Sequence, residues 1–92
     1  MKKFMKRFLD LYINKEHRFS LGVEEATGKF YISIPVSNSM VDYEEFYEID
    51  ERFIKNHPEN LNEIKAILKK CRDQKNDENL FYKPGRDRGE PT

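Results

Sequence analysis

An α+β domain is the fold class that this sequence predicts, and three observations carry it. Phe19, Leu21 and Val23, then Phe30, Ile32, Ile34 and Val36, alternate with polar neighbours at the period of half-buried strands. Leu61, Ile64, Ile67, Leu68 and Cys71 recur instead at the period of an amphipathic helix. Seven Phe and five Tyr raise the aromatic content to 13%, which a disordered chain lacks. The 92 residues give room for one domain, 1–92, around one core. A domain of this size buries only about 60–65% of its unfolded surface.

The first element expected is a helix over Lys2–Asn14. Phe4, Phe8 and Leu11 form a stripe there beside Met5, Leu9 and Tyr12, with Lys2, Lys3, Lys6, Arg7 and Asp10 opposite. A basic amphipathic helix can lie on anionic lipid. Docking on a sheet suits this short segment better, and no membrane contact is expected. A three-stranded antiparallel meander follows. Its first strand is Arg18–Glu24, its turn Ala26-Thr27-Gly28-Lys29 and its second strand Phe30–Val36, the pair having one buried face. Pro35 lacks an amide donor, which puts the end of that strand on an edge or at a bulge.

Ser37-Asn38-Ser39 leads into a third strand, Met40–Ile49, whose alternation is imperfect. Val41, Tyr43, Tyr47 and Ile49 share a face with Glu45, while Phe46 falls among Asp42, Glu44 and Glu48. Either a bulge near Glu44 and Glu45 resets the register, or a carboxylate sits at the core boundary and a ring in solvent.

Asp50 is a good N-cap for a short helix over Glu51–Asn56, and Pro58 suits the first turn of a second one. Both helices are expected on one face of the sheet. Residues 79–92 read as a short apolar anchor, Leu80-Phe81-Tyr82, followed by a turn-rich tail or terminal strand.

Charge is neutral overall but segregated. Met1–Arg18 carries a net +4, Asp42–Glu51 a net −6 and Arg52–Lys75 a net +4. Zero net charge gives no global field toward nucleic acid, and the aromatics coincide with acids rather than bases, so nucleic acid is not an expected partner. The single Cys71 excludes an internal disulfide and any multi-cysteine metal site, and on its apolar stripe it reads as an inert thiol. The N-terminus lacks a signal-peptide pattern, because Lys6, Arg7 and Asp10 break the apolar run; a cytoplasmic chain is expected.

Candidate chemistry is sparse. His17 and His57 have no metal-ligand companion at helical or turn spacing, and no nucleophile triad or phosphate-binding glycine loop is present. No metal, cofactor or catalytic residue is therefore expected. Consecutive acids on a strand are mostly solvated, whereas acid/base catalysis needs carboxylates in unequal environments. Asp42, Glu44, Glu45, Phe46 and Glu48 read instead as a docking surface for a basic partner. The tail residues Lys83, Arg86 and Arg88 form a second candidate. They could grip an anion, or fold back on the acidic strand and neutralise it; fold-back is preferred because it relieves a local −6.

The runs Ile34-Pro35-Val36-Ser37-Asn38, Val41–Ile49 and Lys83–Gly89 resemble a group of small bacterial proteins of uncharacterised activity. The size and acidic face are similar to those of immunity proteins that neutralise secreted bacterial toxins. That resemblance implies a non-enzymatic chain whose partner is a cognate toxin domain, of the nuclease kind, or another basic protein. The other reading is a small housekeeping or regulatory protein that holds an anionic ligand through Lys83, Arg86 and Arg88.

Overall fold

A computed structural model describes residues 7–92. Four strands, β1 (Phe8–Asn14), β2 (Phe19–Glu24), β3 (Phe30–Ser37) and β4 (Asp42–Ile49), form an antiparallel meander in the order β1-β2-β3-β4. Helices α1 (Glu51–Lys55) and α2 (Leu61–Arg72) follow, then a 3₁₀ turn at Asp77–Asn79 and a short β5 (Glu90–Pro91) against β3.

The expected N-terminal helix and three-stranded meander are thus corrected. Phe8–Asn14 is a strand, and the meander has four strands; the Lys2–Lys6 part of the expected helix lies outside the described residues. The cause of the misreading is a β-bulge. Asp10 pairs with Gly22 and Tyr12 with Leu21, which leaves Leu11 as an inserted residue. The insertion turns the two-residue spacing of a strand into the three-residue spacing of Leu9 to Tyr12, two residues of the expected apolar side. That spacing imitates a helical stripe.

One face of the sheet carries the aliphatic core. Phe19, Leu21, Ile32, Ile34, Val36, Tyr47 and Ile49 pack there against Ile54 of α1 and Ile64, Leu68 and Cys71 of α2. Removing each such aliphatic side chain from water contributes about 1.5–3 kcal/mol. The Asp50 carboxylate caps α1 by accepting from the Arg52 amide at 3.0 Å. The expected start of the second helix at Pro58 moves to Leu61, because residues 56–60 form a turn and Asn60 is the N-cap. At the other end of α2, the Arg72 guanidinium donates to the carbonyls of His17 and Arg18, tying the helix to the β1–β2 turn.

Part of the opposite face is buried too, at Gly22, Glu24, Tyr31 and Ser33, where a single buried face was expected. Phe8 stacks on Phe46 with ring centroids 3.8 Å apart, and both rings meet Tyr31 edge-on. Phe81 and Tyr82 close the cluster against Phe8. In a flat sheet the first and fourth strands stand about 14 Å apart, so this ring contact requires the sheet to coil around its aromatic face. Gly22 makes the coil possible: a Cβ there would lie 2.1 Å from the Leu9 carbonyl oxygen and 2.5 Å from the Tyr31 hydroxyl.

Pro35 is neither on an edge strand nor at a bulge. A strand residue points its N–H and C=O the same way, and the Pro35 carbonyl accepts from the Thr92 amide at 3.1 Å. The missing amide of Pro35 therefore faces a seam. There β2, whose pairing reaches Ser20↔Ser33, has ended and β5, which pairs at Val36↔Pro91, has begun.

Candidate functional site

The register of β4 decides how its side chains are presented. It runs unbroken against β3 from Phe30↔Ile49 to Ser37↔Asp42, so there is no bulge at Glu44 and Glu45. Tyr43, Glu45, Tyr47 and Ile49 lie on the helical face, while Asp42, Glu44, Phe46 and Glu48 lie on the aromatic face. Glu45 consequently goes inside, where it is only 7% exposed. Phe46 does not stand in solvent; it is half-buried under Phe8.

A buried carboxylate has to be paired. Arg88 supplies the partner by folding back from the tail. Its Nε donates to Glu45 Oε2 at 2.7 Å and its Nη2 to Glu45 Oε1 at 3.1 Å. The same guanidinium donates to both oxygens of Asp77, at 2.9 and 3.0 Å. Tyr47 adds a hydroxyl donor to Glu45 Oε1 at 2.7 Å. Burial, together with the Glu45 carboxylate, holds the Tyr47 phenol well above its ordinary value. The acid contacts of Asp77 and Glu45 raise Arg88 likewise, so this arginine stays charged and engaged by both carboxylates.

Gly89 follows in a position only a glycine fits, since a Cβ would fall 2.3 Å from the Ser37 carbonyl oxygen. Its amide donates to the Tyr43 hydroxyl at 2.7 Å. The segment from Tyr82 to Gly89 thus wraps the end of β4 as a strap.

Between the strap and the strand runs a groove of about 400 Å³ whose lining includes Glu44, Glu45, Phe46, Lys83, Arg86 and Arg88. The sequence-predicted residues therefore meet, but unequally. Glu45 and Arg88 satisfy each other, and Phe46 belongs to the aromatic cluster. Glu48 lies 3.6 Å from Lys29, a solvent-exposed pair of little energetic weight. Asp42 and Glu44 are exposed and make no ion pair among the described residues, as do Lys83 and Arg86 on the far wall.

Sequence reasoning missed the residues at the tip of the β3–β4 turn. Met40 is 85% exposed and Val41 56%. Asn38 holds them in place: its carboxamide oxygen accepts from the amides of Met40 and Val41, each at 2.8 Å, and its amide donates to the Asp87 carbonyl at 3.0 Å. The signal was present as two large apolar residues directly after Asn38-Ser39, where a turn normally carries polar ones.

Cys71 lies at the core with no exposed surface, and burial pushes its thiol up to about 11. Among the described residues no group of three or more His, Cys, Asp or Glu is placed to hold a metal ion. No helix there is long and apolar enough to cross a membrane. Comparison of the chain with models of known protein families, with curated proteins and with solved structures finds no match.

Proposed function

We propose that this chain is a non-enzymatic binding protein of the immunity type, which neutralises a basic toxin domain, of the nuclease kind, in the cytoplasm. One observation supports the reading above others: Met40 and Val41 stand 85% and 56% exposed on a braced turn, directly beside the carboxylates of Asp42 and Glu44, which make no ion pair among the described residues. Exposed apolar anchors with matching charge at the rim are how compact binding surfaces gain affinity. The acids steer a basic partner inward, and bracing by Asn38 lowers the ordering cost on docking. Relative to the surface drawn from sequence, Glu45 and Phe46 leave the contact set and Met40 and Val41 enter it. The chain acts by covering its partner, with no chemistry of its own.

Co-expression with the product of the neighbouring open reading frame tests this reading. The wild type is expected to protect the host and to co-purify with the toxin. Met40→Ala is expected to weaken the complex by about 1–2 kcal/mol. Asp42→Asn with Glu44→Gln is expected to slow association and flatten its salt dependence. Binding that is unchanged in the triple variant sinks this mode.

A further inference from the structure

The backbone of β4 turns part of its hydrogen-bonding capacity away from the sheet. Because Pro35 directs its carbonyl toward Thr92, the Pro35↔Glu44 pair exchanges no bonds across β3 and β4. The N–H and C=O of Glu44 therefore point outward, and those of Asp42, two residues away, do the same. Phe46, two residues the other way, confirms the direction: its carbonyl accepts the Phe81 amide from outside at 2.9 Å. Leu80 and Phe81 thus already form the start of an added antiparallel strand, bridged at Tyr47↔Leu80. The chain then leaves the edge at Tyr82 and returns only as the strap. What remains along Asp42–Glu44 is backbone with no partner among the described residues, and Glu44 lines the 400 Å³ groove beside it.

From this geometry we infer that the outer edge of β4 receives an extended basic segment of the partner as an added antiparallel strand, in line with Leu80–Phe81. The inference rests on the binding reading above and specifies how the partner docks. Main-chain bonds to Asp42 and Glu44 align the guest and add to the affinity of the anchor, and the side chains of those two acids select lysine or arginine on the aromatic-face side of the guest. Lys83 and Arg86 stand on the opposite wall, so the charge preference belongs to the strip along β4 and not to the whole groove. The free edge is short, which makes the strand contact an adjunct to the Met40–Val41 anchor. The other open edge, β1, exposes Leu9, Leu11 and Ile13 and offers no comparable acidic strip.

The test uses the full chain, labelled for NMR, and a capped hexapeptide alternating lysine and valine. Titration is expected to shift the Asp42 and Glu44 amides and to slow hydrogen exchange at Glu44. A peptide of the same sequence with alternate backbone nitrogens methylated is expected to bind at least tenfold more weakly, as is one with glutamate in place of lysine. Glu44→Pro removes the outward amide together with the carboxylate, so it is read against Glu44→Gln, which keeps the amide. The proline variant is expected to fold and to bind more weakly than the glutamine variant, and equal binding by the two overturns strand addition. Shifts confined to Met40 and Val41 that survive N-methylation overturn strand addition while leaving the anchor reading intact. Shifts centred on β1, or none at all, overturn it equally.

Discussion

Two buried glutamates, one on each face of the sheet, are each gripped by an arginine, and the two grips differ in kind. Glu24 has no exposed surface and lies on the aromatic face, where Arg7 Nε and the Thr27 hydroxyl donate to it. Glu45 lies on the helical face and is held by Arg88. The Arg7 side chain is 47% exposed and engages one carboxylate; Arg88 is 15% exposed and engages two. An exposed arginine can be replaced by water, whereas a shielded one cannot. The first pair pegs the start of β1 to its neighbour. The second joins β4, the 3₁₀ turn and the strap at a single point.

The largest effect that would break this comparison is expected from Arg88→Ala. It leaves Glu45 buried without its partner, a loss of about 3–5 kcal/mol read from urea unfolding, and it frees the strap. Arg88→Met combined with Glu45→Leu should recover most of that loss. Arg7→Ala is expected to cost clearly less, because solvent can reach the oxygen that Arg7 leaves while Thr27 keeps its own bond to Glu24; an equal loss from both would erase the distinction.

Acid titration sharpens it further. The hydrogen bond from Thr27, aided by Arg7 and opposed by burial, holds the Glu24 carboxyl below its ordinary 4.5. A depressed folded value means that this stabilisation is complete above about pH 4.5 and is lost as pH falls through the lower folded value. Glu24→Gln should therefore be less stable at neutral pH and show a shallower decline in acid, followed by thermal unfolding across pH 2–7. The smallest effect is expected from Ile13→Lys on the open β1 edge. It should change stability by less than about 0.5 kcal/mol while reducing concentration-dependent self-association in light scattering.

How much of this was legible in the sequence depended on whether a single period governed each element. Phe19–Glu24, Phe30–Ser37 and Leu61–Arg72 each follow one period, and all three fall where their patterns point. In Phe8–Asn14 the inserted Leu11 mixes two periods, and the helical stripe it imitates is the wrong one. On β4 the pattern posed the right question, bulge or buried acid. Its answer lay in Arg88, 43 residues away. The aromatic cluster was equally hidden, because it joins Phe8, Tyr31, Phe46 and Tyr82 from separate segments and depends on the close approach at Gly22. Of the candidate site, the acids and basic tail residues were readable as types. Which of them remain available was not, since that follows from tertiary pairing.

The seam beside Pro35 bears on the order in which the molecule can assemble. β3 completes its hydrogen bonding first with β2 and then, farther along, with residues 90–92, while Arg18 reaches Thr92 across a sequence separation of 74. A nascent chain lacking those last residues holds the central ribbon half zipped, with its Ser37 end bare on one side. Fusion of bulky cargo directly after Tyr82, or trimming there, should therefore leave a species that is competent to pair with its own kind before it is competent to finish folding.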